Sequence, residues 1–130
     1  MFLKTVLASL AVMALAEAAA AQGLSPMRKD GNTPSDRKGF YLHVHNPYDR
    51  VMTFDLRPME LDLETEALSA EARPSRIRIG PKRRRRVVFV FDIPEMAVER
   101  KVALCVMPAD VRGSILARVC GTYTGRRSAR

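Results

Sequence analysis

The sequence predicts an all-β sandwich built from seven or eight short strands, and three observations carry that prediction. Apolar and polar residues alternate over much of the chain, as in Phe40, Leu42 and Val44 and again in Val87, Phe89 and Phe91, which is the period of a half-buried strand. Beyond residue 21 no stretch sustains an apolar repeat at i, i+3 and i+4, and Glu95 to Arg100 offers at most one helical turn. Turn-forming residues recur at short intervals between the apolar runs. Trp is absent, which excludes the Cys, Trp, Cys core of antibody domains.

The first element stands apart. Residues 1–21 carry a single cation, Lys4, an apolar stretch from Val6 to Ala16, and a small-residue tract in which Ala19, Ala20 and Ala21 satisfy the A-x-A cleavage pattern. They read as a secretory signal peptide cut after Ala21, with a cut after Ala16 as the alternative. The apolar part is shorter than the roughly 20 residues a bilayer span needs, no second long apolar run follows, and no Cys near the cut offers a lipid anchor. The expected product is an exported protein, periplasmic or secreted, without a membrane span. Residues 22–130 are then about 109 residues, the usual size of one domain with one core.

From Leu24 to Lys29 the sequence suggests a short edge strand, and the Gly-, Pro-, Ser- and Asp-rich segment after it a loop. The strand of Phe40, Leu42 and Val44 stops at Asn46-Pro47. The next run keeps Met52, Phe54 and Leu56 in phase up to Pro58, after which Met59, Leu61 and Leu63 take over. Such a phase change at a proline predicts a bulge or a strand that switches sheets. "LSAEARP" reads as a loop, and "SRIRIGP" as a short strand with Ile77 and Ile79 inward. The strand of Val87, Phe89 and Phe91 follows, then "KVALCVM" and "SILARVCGTY", joined by the turn-rich "PADVRG".

Those last two runs hold both cysteines, Cys105 and Cys120, and an exported compartment permits them to pair. An antiparallel hairpin would set them across from one another, with Leu104, Val106 and Val119 on the opposite, core-facing side.

The net charge is +8, and removing residues 1–21 takes away one Lys and one Glu, so it stays +8. A domain of that charge meets acidic partners, and export makes nucleic acid an unsuitable one. Five cations, Lys82, Arg83, Arg84, Arg85 and Arg86, stand directly before the Val87 strand. Extending its alternation backward puts Arg83 and Arg85 beyond the core edge and Arg84 and Arg86 on the opposite face. Cations at a strand mouth keep an apolar strand soluble and discourage edge-to-edge pairing. The other reading makes Lys82 to Arg86 an anion-binding site. Glu60, Asp62 and Glu64 alternate as Arg76 and Arg78 do, and the opposite signs suit cross-strand pairing.

His43 and His45 share a strand face, but the chain has only these two histidines and the cysteines are better explained by each other, so a metal would lack a third ligand. They read as exposed polar residues. There is no G-x-S-x-G elbow, no phosphate-cradling Gly loop and no carboxylate pair in an apolar setting. Nothing here gives reason to propose an enzyme or a cofactor.

The order of "HVHNPYDRVMTFDLRP", "ARPSRIRIGPKRRRRVVFVF" and "GSILARVCGTYTGR" resembles the N-terminal immunoglobulin-like domain of the periplasmic pilus-assembly chaperones, the family of PapD, over most of residues 24–127. The resemblance implies an immunoglobulin-like sandwich of about seven strands. It also implies a chaperone that lends its last strand to an incomplete, exported pilin-like subunit. The donor residues would be Ile115, Ala117, Val119 and Tyr123, with Gly121 interrupting the row. The family's first-strand Arg, which holds a subunit's terminal carboxylate, falls on Arg28; its partner Lys has no match, and Arg118 is the nearest cation. The chain ends at Arg130, where the family continues into a second domain, so no interdomain cleft is expected here for the usual carboxylate anchor. The alternative is a secreted cationic domain that binds an anionic surface or polymer through Lys82 to Arg86 and the tail "GRRSAR".

Overall fold

The core rungs expected from Phe40, Leu42 and Val44, from Ile77 and Ile79, and from Val87, Phe89 and Phe91 form, and all these side chains are buried. In the computed structural model, which describes residues 22–109 and 118–128, nine strands make up two sheets. In chain order they are β1 (Gly23–Ser25), β2 (Arg28–Thr33), β3 (Arg37–His45), β4 (Met52–Met59), β5 (Ala70–Arg73), β6 (Arg76–Ile79), β7 (Arg84–Asp92), β8 (Glu99–Pro108) and β9 (Val119–Arg127). One sheet has the order β1-β3-β7-β5 and the other β2-β9-β8-β4-β6. No helix occurs among the described residues. Residues 1–21 and the stretch 110–117, hence the signal peptide and the donor residues Ile115 and Ala117, lie outside them.

Between the sheets lie Phe40, Leu42, Val44, Val87, Phe89 and Phe91 from the four-stranded side and Phe54, Leu56, Ile77, Ile79, Val102, Leu104, Val106 and Tyr123 from the other. Burying each such large side chain contributes about 1.5–3 kcal/mol. Tyr123 packs edge-on against Phe89, centroids 5.6 Å apart, and tilted against Phe40 at 5.9 Å, so one ring from β9 ties the two sheets.

Three local expectations are corrected. The N-terminal segment makes two strands: β1 pairs antiparallel with β3 in one sheet, and β2 pairs parallel with β9 in the other. Pro26 between them has no N–H to continue a ladder, and "RKDGNT" has no apolar alternation because it forms an exposed edge. At Pro58 there is neither a bulge nor a switch, since the register runs unbroken from Phe54 opposite Pro108 to Met59 opposite Ala103. The change of phase is a change of face, with Met59 joining Ala103 and Cys105 in a second apolar cluster outside the sandwich. "LSAEARP" contains β5, an edge strand on β7 that buries only small side chains, Ala72 fully and Ala70 in part.

The acidic run is corrected as well. Residues 60–66 form a turn in which Asp62 accepts the backbone N–H groups of Glu64 and Thr65, both at 2.9 Å, and those bonds hold its carboxyl below the usual range. Arg76 pairs instead with Asp55, its neighbour across β4 and β6, at 2.7 Å.

The end of the sandwich below the basic run is organised by Asn46. This fully buried side chain donates to the carbonyls of Arg50 (2.8 Å), Ile79 (3.0 Å) and Gly80 (3.0 Å) and accepts the Tyr48 N–H at 3.0 Å. One amide thereby joins the β3–β4 turn to the β6–β7 turn.

Candidate functional site: the leading edge of the last strand and the basic run

β9 is the strand that the sequence singles out, and its two neighbours do not cover it equally. β8 pairs with it from Val119 opposite Val106 to Arg126 opposite Glu99. β2 joins only at Thr122, whose N–H donates to the Met27 carbonyl at 2.9 Å. Val119, Cys120 and Gly121 therefore have β8 on one side and no strand of the described residues on the other. This three-residue edge is fixed in place by the disulfide between Cys105 and Cys120, which stand opposite each other with Cα atoms 4.1 Å apart. Val119 is half-buried against the core.

Tyr123, two rungs further on, has no exposed surface. Its hydroxyl donates to the Pro26 carbonyl at 2.7 Å, and burial pushes the phenol's pKa up. It anchors β9 from inside. Gly121 explains how the hydroxyl gets there, because a Cβ at this position would lie 2.4 Å from the Tyr123 Oη and 2.8 Å from the Met27 carbonyl. The gap in the apolar row is the space through which Tyr123 reaches Pro26, between β1 and β2.

Arg28 is exposed at the head of β2, opposite Thr122. Arg118 lies four positions before Thr122, and its guanidinium donates to the Leu63 carbonyl at 2.8 Å. The register does not set the two on one rung. Arg118 instead borders a cavity of about 400 Å³ on the outer face, with Arg57, Glu64 and Glu66 around it and Met59 and Met107 within. The sequence signal for this cavity was the out-of-phase Met59.

The basic run divides into parts. Lys82 adopts a left-handed φ of 59°, its N–H donates to the Tyr48 carbonyl at 3.1 Å, and its Nζ donates to the Pro47 carbonyl at 2.6 Å with Asp49 at 3.7 Å. It is a turn residue. Arg83 turns back on Gly80 through a 3.2 Å backbone bond. Arg84, Arg85 and Arg86 are exposed on β7 opposite His45, Val44 and His43. The Arg86 guanidinium lies 4.8 Å from the centroid of the Tyr41 ring.

Among the described residues no group of three His, Cys, Asp or Glu could hold a metal ion, and no helix is long and apolar enough to cross a membrane.

Neither a protein-family model nor a curated protein matches the sequence. Solved structures do match its fold. A chain in the Salmonella enterica SafA pilin–SafB chaperone complex is similar with a TM-score of 0.69 at 15% identity, over 84% of this chain and 55% of that one. The E. coli chaperone DraB gives 0.67 at 20% identity, over 82% of this chain and 55% of DraB. The PapD-like domain 7 of human CEP192 gives 0.61 at 11% identity, over 85% of this chain and 87% of that domain. The chain thus spans about half the length of the chaperones it matches. Its two sheets, with a first segment that passes from one to the other, have the immunoglobulin-like fold of a PapD-like domain.

Proposed function

We propose that the domain is a periplasmic, chaperone-like module that binds an exported, pilin-like subunit by adding the leading edge of β9 to the subunit's incomplete sheet. The observation that carries this reading is the one-sided pairing of Val119, Cys120 and Gly121, braced from β8 by the disulfide. Backbone N–H and C=O groups on such an edge supply the hydrogen bonds of strand addition, and alternate side chains fill the partner's pockets. On this reading Ile115, Ala117 and Val119 are the pocket-filling residues, and Tyr123 holds the donated strand to its own domain. Arg28, beside β9 at the head of β2, is the cation offered to a subunit's carboxylate; Arg118 stands at the start of the donor strand. The similarity to a chain from the SafA pilin–SafB chaperone complex supports the choice of partner.

The test is amide hydrogen exchange at residues 115–121 with and without a purified pilin-like subunit, at low and high salt. Strand addition protects these amides in both conditions, and Ile115→Asp abolishes the protection while the melting curve stays unchanged. A folded Ile115→Asp protein that still binds, with binding lost on neutralising Lys82 to Arg86, would establish the second reading, a secreted cationic domain on an anionic surface. The exposure of Arg83 to Arg86 favours that alternative, and high salt would remove its binding.

A further inference from the structure

The outer face of the β1-β3-β7-β5 sheet carries a charge pattern that the strand-edge reading does not use. On that face the register lines up Gly23, His45 and Arg84 on one rung, Ser25, His43 and Arg86 on the next, and Tyr41, Val88 and Arg73 on the third. No acidic residue stands on these three rungs. The other cations of the face are matched: Arg73 on the third rung is paired with Glu71, and Arg37 farther along with Asp92 at 3.0 Å. The uncompensated charge is therefore confined to Arg84 and Arg86. Beside them lie the two histidines and Tyr41, a residue 61% exposed.

We propose that this face is a docking site for an extended acidic polypeptide segment whose carboxylates fall on alternate residues. Arg84 and Arg86 are two residues apart on one strand, so their origins are separated by about 6.8 Å at the antiparallel rise of ~3.4 Å per residue. Carboxylates at i and i+2 of an extended peptide have the same spacing, for the same reason. The Arg86 guanidinium carbon lies 4.8 Å from the Tyr41 ring centroid, a cation–π distance that positions a group able to bind a carboxylate bidentately. His43 and His45 add ring nitrogens on the same two rungs, and Tyr41 gives the incoming chain an aromatic surface.

Other occupants fit less well. A second copy of this chain also carries +8, and the two would repel. A lipid surface would need protruding apolar side chains, and on this face Val88 and Val90 are half-buried in the sheet, leaving Tyr41 alone. The geometry also separates this site from the basic run as a whole. Arg85 has the other parity, Arg83 lies before the strand in the turn on Gly80, and Lys82 is held in its turn by Pro47 and Asp49.

The test is titration of the purified protein with two synthetic peptides of equal composition, one alternating Glu and Ser and one with the Glu residues in a single block, alongside vesicles containing phosphatidylglycerol. The alternating peptide binds the wild type more tightly than the block peptide or the vesicles do. Arg84→Gln/Arg86→Gln weakens it about tenfold, whereas Arg83→Gln/Arg85→Gln, with the same loss of charge, weakens it less than about threefold. In the wild type, amide shifts on adding the peptide cluster at residues 41–45 and 84–88. Equal losses in the two double variants, equal affinity for the block peptide, preference for the vesicles, or shifts that lie elsewhere would each overturn the proposal. Because the wild-type shift map needs no substitution, a variant that fails to fold does not rescue it.

Discussion

Gly121→Ala tests the packing that joins β9 to the rest of the sandwich. The added methyl would lie 2.4 Å from the Tyr123 hydroxyl oxygen, 2.9 Å from Cζ and 2.8 Å from the Met27 carbonyl oxygen. The last of these is backbone and cannot simply rotate away. Either Tyr123 gives up its 2.7 Å bond to Pro26 or β2 is pushed from β9 at the rung where their pairing begins. Overpacking of this kind costs about 1–3 kcal/mol, and a lost hydrogen bond adds about 1 kcal/mol. The sum, about 2–4 kcal/mol, corresponds to a melting temperature lower by about 10–20 °C in a domain of this size. Urea denaturation and calorimetry measure it directly. Tyr123→Phe should cost about 1 kcal/mol by itself and reduce the cost of Gly121→Ala, because it removes the atom with the closest contact; the double-mutant cycle then shows a coupling of about 1 kcal/mol or more. A Gly121→Ala protein within about 0.5 kcal/mol of wild type, or one whose cost is unchanged by Tyr123→Phe, would refute this account of the glycine.

Three further outcomes are expected. Oxidised, denatured protein should show no free thiol, and replacing Cys105 and Cys120 by Ala should destabilise the domain by about 3 kcal/mol, the chain-entropy value for a loop of this length; two titratable thiols would remove the disulfide. Reversing Arg84 and Arg86 to Glu should leave stability within about 0.5 kcal/mol, since both project into solvent, and a large fall in melting temperature would mean that they are buried partners. Asn46→Ala should cost about 3 kcal/mol or more by removing the side-chain partner of the buried Ile79 carbonyl and of the Tyr48 N–H, and a near-neutral result in urea denaturation would mean that water replaces the amide.

The sequence disclosed the fold wherever a strand had one wet face and one dry one. β3, β6 and β7 show this in Phe40, Leu42 and Val44, in Ile77 and Ile79, and in Val87, Phe89 and Phe91, all buried. It concealed the edge strands, because β2 buries only Thr33 fully and β5 only Ala72, and too little apolar surface remains to set a period. Met59 was legible as an anomaly but not as a second cluster, since parity records a change of face without recording what covers it. Tyr123 shows the same limit at the candidate site. It shares its parity with Val119, yet one is a half-buried residue at an open edge and the other fills the core. The difference lies in where β2 begins to pair, a long-range contact that β9's own sequence does not encode. In the basic run, alternation separated Arg84 and Arg86 from Arg83 and Arg85, but the turn role of Lys82 depends on the Pro47 carbonyl 35 residues away.

Five adjacent cations repel one another, and a strand mouth that carries them needs something to hold it. The structure supplies this in three ways. Lys82 leaves the row through a left-handed turn, so its charge faces Asp49 instead of Arg83. The strand's alternation sends Arg84 and Arg86 to one face and Arg85 to the other, and Arg83 stays in the turn on Gly80 before the strand, which spreads the charges and lets water screen them. Beneath them the buried Asn46 amide holds both turns, and its own N–H donates to the Arg83 carbonyl at 2.8 Å. The repulsion therefore acts on side chains that are free to splay, while the backbone that sets their spacing stays in place. A cationic face built this way can hold a fixed spacing, and selectivity for an alternating acidic segment over a generic anion depends on that spacing.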